Sequence, residues 1–390
     1  MSKPIETSKQ VEEILAKLVG FDTTSCNPNR ACIDYIRDYL DSVGIASEIV
    51  ADDTGGKACL WATIGSSDQQ GVVLAGHTDV VPVKGQRWTS DPFTLTERDG
   101  KLFGRGSADM KGFIACALAF IPEFLAAKTT NCFHLALTSD EETDMSGAHR
   151  LTDHLSAQGI KPAWVWIGEP TGLSIVDEHK GTAAHRTRLT GVPGHSSQPD
   201  KGLNAIELSA QLMDIISDVA RRRKESPYAA SRFDPPYSTV NFGTIEGGTA
   251  ENIIAETCEL LWQTRIHPGD SAQEIFTEVE SRARSAFAPR FAAFAPHAGM
   301  ESCLCFDIPP FLAKAENAGV KTLRRLLKCD QTHAVGFATE AGIFQKLCAD
   351  VVLCGPGFIE QAHQGDEFID KNQLIPCVDL MRQFLLSSSA

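Results

Sequence analysis

The sequence predicts an α/β protein of two domains. The larger carries a mixed, largely parallel sheet with helices on both faces, and it is interrupted by a smaller α+β domain of ferredoxin-like pattern. Three observations lead there. The chain has 390 residues, beyond the ~250–300 at which a single core stops growing. Short apolar runs alternate with helical segments up to Lys180-Gly181, as in a layer of parallel strands and crossover helices. After that point the order becomes β-α-β-β-α-β, in which two helices cover one face of four strands.

The elements justify themselves in turn. Thr7-x-x-Gln10 reads as a capping box before Val11, Ile14, Leu15 and Leu18 at helical spacing, with Gly20 as the stop. A helix near Ile33–Val43 precedes strands at Ala58–Ile64 and Val72–Ala75. A helix at Met110–Ala127, a strand at Cys132–Leu137, a helix at Ser146–Gln158 and a strand at Ala163–Ile167 complete the first stretch. The inserted pattern comprises Ala183–Thr190, a helix Asn204–Arg223, strands Ser238–Ile245 and Cys258–Ile266, a helix Ser271–Phe287 and a strand Glu301–Phe306. A helix near Phe311–Leu327 and strands near Ala334 and Val351 resume the first type. The expected domains are therefore 1–181 with 307–390, and 182–306.

Composition narrows the function. Hydrophobic residues make up 43% and charged ones 22%, a globular balance. A net charge of −14 repels phosphate backbones and anionic membranes, so nucleic acid and membrane are not expected partners. Met1–Glu6 has no apolar leader, and the apolar run Phe113–Phe120 is far short of the ~20 residues a bilayer needs. The twelve cysteines show no framework spacing, and the closest pair, Cys303-x-Cys305, lacks the duplicated pattern of a thiolate metal site. A cytoplasmic location with reduced thiols is expected.

Chemistry concentrates just past strand ends. Gly76-His77-Thr78-Asp79 follows Val72–Ala75, and in extended chain His77 and Asp79 share a side. Gly104-Arg105-Gly106-Ser107-Ala108-Asp109 opens a helix, Ser139-Asp140-Glu141-Glu142 ends a strand, and Gly168-Glu169-Pro170 ends another. Gly355-Pro356-Gly357 and Gln361-Ala362-His363-Gln364-Gly365-Asp366-Glu367 follow the last strand. Singly, each has a plain reading: a structural histidine, an N-cap aspartate, a solvated acidic loop. Jointly, two histidines and several carboxylates without thiolates suit a pair of divalent cations such as zinc, cobalt or manganese, in a crevice at the carboxyl ends of parallel strands. Extended chain at Glu141-Glu142 would point the two carboxylates to opposite faces, one toward metal and one toward a water as general base.

In order, GHTDVV, GRGSADMKG, DEE, GEPT and AHQ-x-DE resemble the M20 family of metallopeptidases and deacylases over nearly the whole chain. That resemblance implies two divalent metal ions, zinc or cobalt, with His77 and Glu169 on one, Glu142 and His363 on the other, and Asp109 bridging. It implies Glu141 as general base, Asp79 as the orienter of His77, and an inserted lid and dimerisation domain. There His195 would meet the oxyanion, Asn252 would bind substrate, and Arg265 would clamp its carboxylate.

Within the family, the stretches around Glu340, Gly355 and Gly357 resemble the branch that removes the acetyl group from N2-acetylornithine, and they mark those residues as substrate-binding. Desuccinylases carry an arginine where this chain has Ile343, so a small uncharged acyl group is implied. Glu340 or Glu178 is the candidate partner of a distal ammonium. Asp177-Glu178-His179 and Thr264-Arg265-Ile266-His267 depart from that branch's pattern. A small N-acyl amino acid and a second copy of the chain are the expected partners. A serine hydrolase is disfavoured by the absence of G-x-S-x-G. The rivals are an exopeptidase on dipeptides and a non-catalytic scaffold, the latter opposed by the presence of Glu141.

Overall fold

The computed structural model describes residues 3–66 and 70–386. Met1 and Ser2, part of the N-terminal segment read above for a leader, lie outside them. The chain divides into two compact units, 1–177 with 313–333 and 340–390, and 178–312 with 334–339. The second unit thus takes in 307–312 and 334–339, beyond the 182–306 span expected.

In the first unit the sheet runs Ser47–Ala51, Ala58–Gly65, Cys132–Thr138, Val72–His77, Trp164–Ile167, Val351–Leu353, and Val176 pairs with Leu353. The four strands from Cys132–Thr138 to Val351–Leu353 are mutually parallel. Their carboxyl ends therefore open at one edge, and each leads into a segment singled out above. They are buried on both faces, which is why they read as continuous apolar runs rather than alternating ones.

The helix Lys111–Ala127 is buried along almost its whole length, Phe113, Ile114, Ala117 and Phe120 included, as expected of a helix apolar all round. The first helix spans Lys3–Val19 and seats Val11, Leu15 and Leu18 in the same core. It begins four residues before Thr7, so the expected capping box lies inside a helix that needs no stop there. Phe311–Leu312 is a strand against Glu178 and His179, and the helix starts only at Ala318, capped by Asn317 through Val320 N–H at 2.9 Å. Pro309-Pro310 and an N-cap asparagine account for that later start. Short segments gave no usable period: Thr96–Arg98, Lys101–Phe103 and Phe368–Asp370 form a small separate sheet.

The second unit has an antiparallel sheet in the order Thr239–Gly247, Thr257–Ile266, Gly181–Thr190, Gly299–Ile308, with helices Ala205–Glu225 and Ala272–Ala293. Leu208, Leu212 and Ile216 from one helix and Ile275, Val279 and Phe287 from the other meet Leu189, Leu260 and Trp262 of the sheet. Burial alternates along Thr257–Ile266, so one sheet face is covered and the other is left open.

One core residue makes the stability pH-sensitive. His134, in Cys132–Thr138, stacks on Trp61 at 4.7 Å between ring centroids and bonds Thr63 Oγ1 at 2.9 Å. Burial pushes its pKa down to about 4, whereas an unfolded histidine titrates near ~6.5. Below that value the unfolded chain takes up a proton that the fold refuses, so stability is complete above pH ~6.5 and falls toward pH ~4. We expect the thermal midpoint of His134→Asn to decline less than that of the parent between pH 7 and 4.5, with a difference of up to about 3 kcal/mol. Parallel pH profiles would refute this assignment.

Candidate metal centre

Six side chains converge in the first unit. His77, Asp109 and Glu169 offer ligand atoms all within 4.8 Å of one another, as do Asp109, Glu142 and His363, and also His77, Glu141 and Glu142. Asp109 belongs to the first two groups. His77 Nε2 lies 3.0 Å from Asp109 Oδ1, His363 Nε2 3.3 Å from Asp109 Oδ2, and His363 Nε2 3.0 Å from Glu142. Asp109 does not act as a helix cap. Met110 holds that position, without any side-chain capping bond, and the aspartate is free to join two imidazoles.

The positioning differs from expectation at two places. His77 Nδ1 bonds the main-chain carbonyl of Asp79 at 2.9 Å, and the Asp79 carboxylate stands farther off at 3.7 Å. That carboxylate instead accepts Glu141 N–H at 3.1 Å, Glu142 N–H at 3.2 Å and the Ser25 hydroxyl at 2.7 Å. Asp79 therefore holds the acidic loop, and its backbone orients the imidazole. Glu141 and Glu142 lie in a turn that follows Asp140 at φ +65° rather than in extended chain, so both carboxylates fall on the same side.

Sequence reading missed Glu367. Its Oε1 accepts the N–H groups of Ala108 and Asp109 at 3.0 and 3.1 Å, and Arg105 donates to Oε2 at 2.5 Å. This buried ion pair fixes the loop that carries Asp109. Arg105 also reaches Gln86, which donates to the carbonyl of His363 at 3.0 Å. A charged residue within the late AHQ-x-DE motif was the one available signal.

Gly355 and Gly357 serve packing. A Cβ at Gly355 would stand 2.1 Å from the carbonyl oxygen of Gly168 and 2.5 Å from that of Glu169, and Gly357 has φ +85°. They let two loops close around Glu169, which requires residues without a Cβ. Glu340 is 1% exposed, and neither of its carboxyl oxygens makes a hydrogen bond of good geometry. Its charge acts on Glu141 and Glu169, so it stands beside the cluster. Glu178 is paired with Arg232 at 2.8 Å. Within the second unit, His195 and Asn252 are neighbours: Ser196 N–H bonds the Asn252 carbonyl at 3.1 Å, and both side chains are exposed. Arg265 is half-buried, with no carboxylate in salt-bridge range among the described residues.

Electrostatics make the cluster a cation site. Burial, with the charge of Asp109 added, pushes Glu169 up to about 8, and its Oε1 is buried without a hydrogen-bond partner. Burial also pushes Glu141 well above the carboxylate range, reinforced by Glu169 and Glu142. Hydrogen bonds that His363 donates to Asp109 and Glu142 raise its pKa to about 10. Carboxylates this close disfavour one another's charge unless positive charge stands among them. Divalent ions answer that demand, and the nitrogen and oxygen donors fit zinc-like metals.

Fold and cluster together define a metal-dependent hydrolase of linear amide bonds. The chain belongs to peptidase family M20/M25/M40, whose model matches residues 73–387. It is 39% identical over 365 residues to the acetylornithine deacetylase of Proteus mirabilis (strain HI4320), covering 93% of this chain and 91% of that protein. It shares its fold with the M20 family metallo-carboxypeptidase Sso-CP2 from Sulfolobus solfataricus, at TM-score 0.74, 17% identity and 99% coverage of each chain. The Bacillus subtilis YXEP protein, a dinuclear metal binding peptidase of this family, matches at TM-score 0.66 and 14% identity, over 98% of each chain.

Proposed function

We propose that the protein removes the acetyl group from N2-acetylornithine, releasing ornithine and acetate, with two zinc or cobalt ions held by His77, Asp109, Glu142, Glu169 and His363. The observation that carries this reading is the convergence of those five side chains with Glu141 in one cation-demanding cluster, of which His77, Asp109 and Glu169 are buried and His363 is exposed. Likeness to the Proteus mirabilis deacetylase supports the substrate. So does Ile343, fully buried and apolar where a succinyl carboxylate would need a cation.

The chemistry that such a metal pair supplies when bound is Lewis-acid activation of water and of the acyl carbonyl. Glu141 accepts the proton of the attacking water and delivers it to the leaving nitrogen, so one water is consumed and one amide becomes acid plus amine. Asp79 keeps the Glu141 loop in place through the two N–H bonds described above. We assign His195 the role of donor to the developing oxyanion, Asn252 that of binding substrate and Arg265 that of pairing with the substrate carboxylate. We further read the enzyme as a cytoplasmic homodimer of arginine biosynthesis. Twelve free thiols support the compartment. Exposed Ile206, Ile245, Ile253 and Leu261 in the second unit support an interface. Among the described residues no helix is long and apolar enough to cross a membrane.

The test is a panel of N-acetyl, N-formyl and N-succinyl amino acids, with a dipeptide, on metal-reconstituted enzyme. We expect the highest kcat/KM for N2-acetylornithine, at least about 10²-fold above the succinyl analogue. No turnover of N2-acetylornithine, or preferential cleavage of the dipeptide, refutes the substrate.

A further inference from the structure

The edge strand Gly299–Ile308 of the second unit carries Cys303 and Cys305 with their sulfurs 3.3 Å apart. In a regular strand, residues two apart lie ~6.6–6.8 Å apart between Cα atoms, the far limit of what a disulfide spans. Here the register shifts: Leu304 faces His185 and Phe306 faces Ala184, leaving Cys305 as a bulge with no partner of its own. A bulge bends its strand and re-aims the extra side chain, and this one turns the second thiol onto the first.

These thiols are not core packing. Cys258, two strands away in the same sheet, is buried in the helix-covered core, whereas Cys303 is half-buried and Cys305 exposed. Cys303 shares a shallow groove with Arg186, Arg188, Glu259 and Glu301. Cys303 is also paired in register with Arg186. The two thiols and Glu259 surround that guanidinium and hold its pKa above the ordinary value, Cys303 contributing most. On Cys305, burial and the bond with Cys303 raise the thiol, and the nearby Arg186 offsets only part of that rise. Arg186 stands opposite Cys303 in the register while Cys305 holds its proton, an arrangement in which Cys303 is the attacking sulfur and Cys305 the resolving one.

We propose that Cys303 and Cys305 form a reversible oxidation site, closed to an intrastrand disulfide by hydroperoxides. The Cys303 thiolate attacks one peroxide oxygen. The O–O bond breaks, the alcohol (water, from hydrogen peroxide) departs with a proton, and Cys303 becomes a sulfenic acid. Cys305 loses its proton and attacks that sulfur. The S–O bond breaks, and the hydroxide released takes up the proton as water. Two thiols and one hydroperoxide thus give one disulfide, one alcohol and one water, the two electrons passing from sulfur to the O–O bond. A dithiol reductant reverses the step by exchange.

The full-length enzyme, treated with hydrogen peroxide and mapped by peptide mass spectrometry, tests this. We expect the peptide carrying both cysteines to lose two hydrogens before Cys26 or Cys329 is modified, and dithiothreitol to restore it. Cys305→Ser should instead accumulate a sulfenic acid at Cys303 that dimedone traps, and Cys303→Ser should form neither product, each variant keeping the parent's deacylase activity. The proposal fails if the two thiols of the parent are alkylated independently after peroxide treatment. It fails equally if oxidation goes first to the other exposed cysteines, or if Cys303→Ser leaves the oxidation rate of Cys305 unchanged.

Discussion

Glutamine at position 141 is expected to lower kcat by about 10²–10⁴-fold, the contribution of a well-placed general base, while metal content stays at the parent's level. Glu141 joins His77 and Glu142 in one cluster, but its proposed task is to carry a proton. Its loop is fixed by backbone bonds to Asp79, so exchanging an oxygen for an amide leaves the loop in place and removes only the basic lone pair. Steady-state kinetics together with elemental analysis separate the two roles. A kcat within tenfold of the parent, or loss of metal alongside activity, would sink the assignment.

Asp109→Asn should do the reverse, losing metal first and activity in consequence. Among the described residues Asp109 alone lies within ion-pair distance of both imidazoles, His77 at 3.0 Å and His363 at 3.3 Å. Although burial opposes its ionisation, hydrogen bonds from His363 and His77 hold its carboxyl below the usual range. An amide of the same shape keeps the packing but cannot bridge two cations. Several kcal/mol of catalysis, or about 10³-fold in kcat/KM, should vanish. Metal added at a hundred times its dissociation constant should stabilise the parent by about 2.7 kcal/mol and the variant by much less. Equal thermal shifts for the two proteins would show that Asp109 bridges nothing.

Four of the five ligand candidates were legible because each comes after a strand whose apolar run could be read, and parallel strands open at a common edge; Asp109 was legible as the carboxylate at the head of a long apolar helix. The scaffold beneath them was not. Glu367 lies next to the three-residue strand Phe368–Asp370, too short to carry a period, and its partners at Arg105 and Asp109 are more than 250 residues distant. The turn at Glu141-Glu142 was likewise invisible, since Asp140 adopts φ +65° through long-range contacts, among them Lys57 at 2.7 Å. Gly355 was marked for substrate by the family resemblance alone, which is silent on why a glycine stands there. Only the neighbouring chain at Gly168 shows that a Cβ would have no room.

By itself, then, the sequence determined the alternation of elements, the inserted β-α-β-β-α-β pattern and the residue types able to hold divalent cations. These depend on local periodicity and on side-chain chemistry, which the order of residues carries directly. Only the tertiary structure decided which carboxylate meets both imidazoles, which holds a loop, and which is buried, as Glu340 is. Those roles depend on distances of about 3 Å between groups far apart in the chain, and folding alone sets them.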